Sequence, residues 1–211
     1  RSVEKCLSDV KRVVITSSTA AVVNIPDRIV TKTYTEEDWN DTSSLTNNPY
    51  AYSKLLAEKE AWKIWKEIKE RYPTQKVFDL VALNPTLVVG PILQVDRVKE
   101  FKSELNTSCK LILNDLMRGK TDPDSSRKVK ADDGRTMVDV RDVARAHRLV
   151  LESNNAAGKR FILSGGKGHW PKLNRAIAAR FPQFEPYLAK EVDGDEEAGY
   201  NAILNLSAES I

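Results

Sequence analysis

The sequence predicts an α/β fold with parallel strands, and three observations carry that expectation. Two short apolar runs rich in β-branched residues, 11–16 and 80–89, have the length and composition of buried strands. Between them, residues 49 to 71 place Leu55, Trp62, Trp65 and Ile68 on one helical face, with Tyr72 following. The alternation then resumes with shorter strands and helices, and strands separated by helices build a parallel sheet.

The first strand, 11–16, ends in Thr16-Ser17-Ser18. Residues 24 to 47 are polar and rich in Pro, Asn and Thr, and read as a surface loop. Asn48 is a good N-cap and Pro49 suits the first helical position, so a helix is expected to begin there. Pro85 inside the second strand predicts a strand end or bulge near that point. A lysine-rich stretch from 94 to 110 precedes a helical pattern through Leu111, Ile112, Leu113, Leu116 and Met117, stopped by Gly119. Residues 120–135 read as a charged loop with Pro123 and Gly134. Val138 is expected to open a short strand, and Asp142 to cap a helix that packs through Val143, Ala146, His147, Val150 and Leu151. A strand at 161–164 and a helix at 171–181 complete the pattern; the remainder is too polar and short to assign.

With 211 residues, 41% of them hydrophobic and 30% charged, the chain is long enough to bury a sizeable core. A net charge of +3, without an arginine-rich tract interleaved with aromatics, predicts no nucleic-acid partner. No apolar run is long enough to span a membrane, so no membrane partner is expected, and the expected compartment is cytoplasmic. Cys6 and Cys109 are far apart and lack metal-ligand company, which reads as two reduced thiols. His169 stands alone, so no metal site is expected. The glycosylation-type triplets at Asn40, Asn106 and Asn205 read as chance.

The most informative run is Asn48-Pro49-Tyr50-Ala51-Tyr52-Ser53-Lys54, with Tyr50 lying 32 residues after Ser18. Tyr50 and Lys54 are four apart on a helix and point the same way. An ammonium beside a phenol stabilises the phenolate. A serine hydroxyl delivered from a strand end can hold a carbonyl oxygen beside that phenol. The set is then a proton donor for carbonyl reduction, or a base for the reverse oxidation. Ser17 rivals Ser18, and Tyr52 rivals Tyr50, but position 56 is leucine, so only Tyr50 has its lysine.

Four stretches in order resemble the extended short-chain dehydrogenase/reductases, nearest to the cinnamoyl-CoA reductase, dihydroflavonol reductase and fungal carbonyl reductase subgroup. They are Lys11 to Ser18; Asn48 to Lys54, continuing Leu55-Leu56-Ala57-Glu58-Lys59-Glu60-Ala61-Trp62; Leu83-Asn84-Pro85-Thr86-Leu87-Val88-Val89-Gly90-Pro91; and Met137-Val138-Asp139-Val140-Arg141-Asp142-Val143 with Ala144 to His147. The resemblance implies the C-terminal part of a doubly wound, parallel-sheet Rossmann-type fold with a small substrate-binding subdomain. By it, residues 1–91 and 137–165 form the partial Rossmann-type domain, and 92–136 and 166–211 the subdomain.

The resemblance also implies Ser18, Tyr50 and Lys54 as catalytic residues. Tyr50, Lys54, Pro85, Thr86 and Leu87 would bind cofactor, and a small carbonyl compound would be the substrate. The subgroup implies NADP(H) in preference to NAD(H). Val22, four after the serine, stands where flavonoid-reducing members carry asparagine, which speaks against a dihydroflavonol substrate.

The family's opening Gly-rich turn, which sets a pyrophosphate on a helix N-terminus, has no counterpart here. The late cluster Gly165-Gly166-Lys167-Gly168 lacks its spacing. The chain is therefore expected to be an interior and C-terminal portion of a longer reductase, with an N-terminal half supplied in cis or as another chain. The alternatives are a 3β-hydroxysteroid dehydrogenase, a nucleotide-sugar epimerase, or an idle structural subunit derived from a reductase.

Overall fold

The computed structural model describes residues 3–7, 9–27, 31–92, 106–116, 128–130, 134–188 and 191–207. In chain order come β1 (Arg12–Thr16), β2 (Thr33–Tyr34), α1 (Pro49–Arg71), β3 (Asp79–Pro85) and β4 (Leu87–Val89). Then follow α2 (Thr107–Leu116), β5 (Lys128–Lys130), β6 (Gly134–Asp139), α3 (Val140–Glu152) and β7 (Arg160–Leu163). The last are β8 (Gly166–His169), α4 (Trp170–Arg180), β9 (Glu191–Asp193), α5 (Glu196–Ala202) and β10 (Asn205–Leu206). The chain divides into two compact units: Arg1–Thr86 with Arg141–Ser164 and Asn205–Ile211, and Leu87–Val140 with Gly165–Leu204.

The first unit is built on a parallel sheet in the order β1-β3-β7, with Val14 opposite Val81 and Leu83 opposite Phe161. β3 lies in the middle, and Leu80 through Pro85 are all buried. A buried central strand reads as a near-continuous apolar run, which Leu80 to Leu83 supply before the polar Asn84. β1 pairs only with β3 among the described residues, and Val13, Val14 and Ile15 are half-buried rather than fully so. A strand with a neighbour on one side only has less cover, and its free edge can template a further strand.

Asn48 starts α1 as expected: its side-chain oxygen accepts from the Ala51 N–H at 3.2 Å, and its amide donates to Asn24 Oδ1 at 2.8 Å. The same residue thus begins the helix and ties it to the preceding loop. Ala51, Leu55, Glu58 and Ile68 form the buried face. The expected Trp62 and Trp65 are only half-buried; Trp65 packs its ring and donates Nε1–H to Phe78 O at 2.8 Å. α1 lies against β3 and the short turn Thr19–Ala21.

α3 begins at Val140, three residues earlier than a cap at Asp142 implies, so Asp142 falls in its first turn instead of capping it. Its buried residues are Val143, Ala146 and Val150, while Leu151 is exposed. His147 packs half-buried, donating from Nδ1 to Val143 O at 2.8 Å with Nε2 hydrogen-bonded to Thr16 Oγ1 at 2.8 Å. The loop expected over 24–47 includes β2, which pairs with β10.

The expected break at Pro85 has a larger consequence than a bulge. β3 ends at Pro85, Thr86 separates the strands, and β4 joins the second unit's sheet, so one apolar run serves two sheets. That second sheet runs β4-β6-β8, with β4 and β6 parallel and β6 and β8 antiparallel. Strand β6 starts at Gly134, four residues before Val138, and takes the end of the stretch expected as a charged loop. The late glycines run into strand β8, where Gly134 is opposite His169 and Gly168 opposite Arg135, and a Cβ at Gly134 would stand 2.6 Å from Gly168 O. Trp170 and Leu188 form a buried cluster with Met137, Leu173, Ile177 and Val192 against them. β5 pairs in parallel with β9. Most of the lysine-rich stretch, Met117, Pro123 and the side chains of Ile112, Leu113 and Leu116 lie outside the described residues.

Candidate active site

The two rival serines at the end of β1 are separated by what their side chains touch. Ser17 is buried and its hydroxyl donates to Glu58 Oε2 at 2.5 Å. Ser18 is half-exposed, and its extended backbone (φ −163°, ψ 154°) turns its side chain to the opposite side from that of Ser17. Ser18 Oγ accepts from the Ala20 N–H at 3.1 Å, capping the turn Thr19–Ala21. The hydroxyl therefore keeps its hydrogen for an outside acceptor.

Tyr50 stands on the first turn of α1 with 62% of its surface exposed. Lys54 is one turn on and half-exposed, with Nζ 5.9 Å from the centre of the Tyr50 ring. The expected pair thus shares a helix face, at the outer limit of a cation–π contact. Tyr52 is half-buried. α1 packs on the turn that Ser18 caps, which brings the helix carrying Tyr50 and Lys54 to the strand end carrying the serine. Val22, at the end of that turn, is buried.

Pro85 and Thr86 are buried at the end of β3. Pro85 O accepts from Thr19 Oγ1 at 3.3 Å, linking this strand end to the serine turn. Thr86 donates both its N–H (3.0 Å) and its hydroxyl (3.1 Å) to Leu163 O, so its hydrogen-bonding hydrogens are used within the protein. Leu87 opens β4 in the second unit and is half-buried. Arg141 and Asp142 are exposed on the first turn of α3.

The largest polar feature behind the site had no spacing signal in the sequence. Glu58, 1% exposed, accepts from Ser17 Oγ, from Asn84 Nδ2 at 2.7 Å, from Arg160 Nε at 2.6 Å and from Trp62 Nε1 at 3.3 Å. Asn84 also donates to Ser18 O at 3.0 Å. Arg160 donates to Glu36 O at 2.6 Å and Asp38 O at 2.7 Å, and its guanidinium lies 3.7 Å from the Trp39 ring centre. Glu58 and Arg160 are 102 residues apart, and the packing of α1 on the sheet brings them together. The available clue was an arginine opening an otherwise apolar strand.

Near this network, burial pushes the Asp38 carboxyl up, but hydrogen bonds from Lys32 and from the N–H and hydroxyl of Thr35 outweigh it. The carboxyl ends below its ordinary value of 3.8. No cluster of metal-ligating side chains occurs among the described residues. No described helix is long and apolar enough to cross a membrane.

A parallel α/β sheet whose strand end and neighbouring helix present serine, tyrosine and lysine defines a Rossmann-type class of protein. The family profile described as NAD dependent epimerase/dehydratase matches residues 2–164, and the chain belongs to this family, the extended short-chain dehydrogenase/reductases. Cinnamoyl-CoA reductase 1 of Arabidopsis thaliana is 38% identical over 177 residues, covering 83% of this chain and 44% of the relative. The NADPH-dependent methylglyoxal reductase GRE2 of Saccharomyces cerevisiae is 38% identical over 170 residues, covering 77% and 46%. The crystal structure of Gre2 from Candida albicans superposes with a TM-score of 0.75 at 31% identity, over 95% of this chain and 57% of that one. The chain therefore spans about half the length of the curated relatives it matches.

Proposed function

We propose that this protein reduces the carbonyl group of an aldehyde, a ketone or a CoA thioester with NADP(H). The observation that carries the reading is the half-exposed Ser18, its hydroxyl hydrogen free, on a turn packed against the helix that exposes Tyr50 and Lys54. The substrate class and cofactor are supported by the reductases similar to this chain, one of them crystallised as a complex with NADPH.

The residues fit the nicotinamide-ribose end of the cofactor. Lys54 offers an ammonium and Tyr50 a phenol on one exposed helix face, and the strand end at Pro85, Thr86 and Leu87 would lie against the nicotinamide. Thr86 serves there by pinning the strand end through its two bonds to Leu163 O. Among the described residues, the glycine run before α4 lies in strand β8 instead of a turn, so the pyrophosphate cradle would come from another segment, in cis or as a second chain.

When bound, NADPH supplies the hydride. Ser18 donates its hydroxyl hydrogen to the carbonyl oxygen and fixes its position. Tyr50 donates its proton to that oxygen as negative charge develops on it. Lys54 stabilises the phenolate left behind. The second unit, Leu87–Val140 with Gly165–Leu204, would form the substrate-binding part.

The test is turnover of the full-length protein with NADPH and a panel of small aldehydes, ketones and CoA thioesters, with nucleotide sugars as the competing class. Tyr50→Phe should lose at least about two orders of magnitude in kcat, the usual scale of a general acid. Near-normal turnover of that variant would remove Tyr50 from the mechanism. Activity on nucleotide sugars alone would replace the reductase with an epimerase.

A further inference from the structure

We propose that Glu58, Asn84 and Ser17 are positioning residues that select Ser18 over Ser17 and lock it in register with Tyr50 and Lys54. The inference rests on the reductase reading for the chemistry, but not for the geometry.

Glu58 follows Tyr50 by eight residues and Lys54 by four on α1, so the three lie along one side of the helix, from exposed at Tyr50 to buried at Glu58. The carboxylate is the point at which this helix grips the sheet. One oxygen, Oε2, takes both Ser17 Oγ and Asn84 Nδ2. The same amide nitrogen of Asn84 reaches Ser18 O, so a single side chain bridges the carboxylate and the serine's own peptide. Ser17 N–H is held in turn by Leu83 O at 2.7 Å. The residues on either side of the Ser17–Ser18 peptide bond are thereby clamped to β3 and to the helix that bears Tyr50 and Lys54.

The clamp also decides which hydroxyl is presented. Successive side chains of extended backbone point to opposite sides. With Ser17 drawn inward to Glu58, Ser18 must face outward, where its Oγ caps the turn Thr19–Ala21. A sequence with two adjacent serines leaves this choice open, and the carboxylate makes it. Arg160 closes the other carboxylate oxygen and supplies the countercharge that lets Glu58 remain buried beneath the site.

A buried ion pair adds little to stability over an apolar pair of the same volume, but its hydrogen bonds are directional. The role expected of this set is therefore placement. A misplacement on the order of 1 Å at a reacting group can cost about a hundredfold in rate.

The experiment uses Asn84→Ala and Ser17→Ala in the full-length protein, each alone and combined with Ser18→Ala. Two readouts are taken: steady-state turnover with NADPH and a small aldehyde, and amide hydrogen exchange. Asn84→Ala should lose at least about tenfold in kcat with KM for the carbonyl changed much less, and should add no loss in the Ser18→Ala background, because it acts through that serine. Exchange at residues 18–22 should rise while that of the α1 interior holds. Ser17→Ala, which removes one hydroxyl, should show the same pattern and guards against a folding defect of the first variant. Losses that multiply in the double variants, or unchanged exchange at 18–22, overturn the proposal. A wild-type protein without carbonyl turnover sinks the reductase reading instead, and the exchange result then decides the positioning role by itself.

Discussion

Replacing Arg160 by methionine isolates the charge that Glu58 depends on. In the folded protein their side chains are 8% and 0% exposed and meet at 2.6 Å. Methionine keeps much of the apolar stem's volume but leaves the carboxylate with only neutral donors from Ser17, Asn84 and Trp62. Removing one partner of a buried pair costs about 3–5 kcal/mol, because the remaining charge is stranded. Losing the donations to Glu36 O and Asp38 O and the stacking on Trp39 adds to this, and methionine packing offsets part of it.

For a domain of this length each kcal/mol corresponds to about 2–4 °C, so thermal unfolding should fall by roughly 6–20 °C. The assay is thermal and urea unfolding of the full-length protein followed by circular dichroism. Glu58→Met combined with Arg160→Met should be less destabilised than Arg160→Met alone, since no charge is then stranded. A loss below about 1 kcal/mol for the single variant, or a double variant worse than the sum of the singles, would refute the reasoning that the guanidinium supports the carboxylate.

Two further outcomes follow from local geometry. Asp38 is held below its ordinary value of 3.8, so its bonds stabilise the fold above that pH and are lost as pH falls through the lowered value. Asp38→Asn should therefore be less stable near neutrality, and its deficit should shrink in denaturation series taken below pH 3.8. A Cβ at Gly134 would stand 2.6 Å from Gly168 O, a backbone atom that cannot swing away, and 2.4 Å from Ile203 Cδ1. Gly134→Ala should cost about 1–3 kcal/mol in chemical denaturation, the usual scale of overpacking. Wild-type stability in that variant would show that β6 and β8 can separate freely.

What the sequence determined is local in origin. The apolar run that became β3, the Asn48 cap with Pro49 behind it, and the four-residue spacing of Tyr50 and Lys54 could each be read directly. Each depends on neighbours within a turn or a strand, where propensity and periodicity act. The break at Pro85 was legible too, because proline cannot donate to a ladder.

What only the tertiary structure decided depends on residues far apart in the chain. The allocation of one apolar run to two sheets, the strand made from the late glycines, and the burial of Ser17 beside a half-exposed Ser18 all required a partner from elsewhere. Among the described residues β1 pairs with β3 alone and stays half-buried, which no composition of the strand itself encodes. Glu58 and Arg160 look like ordinary surface charges when read along the chain. They are buried because four donors converge on one carboxylate once β1, β3, β7 and α1 have been brought together. Periodicity shows which face of an element is apolar; it carries no information on which distant polar group that face will meet.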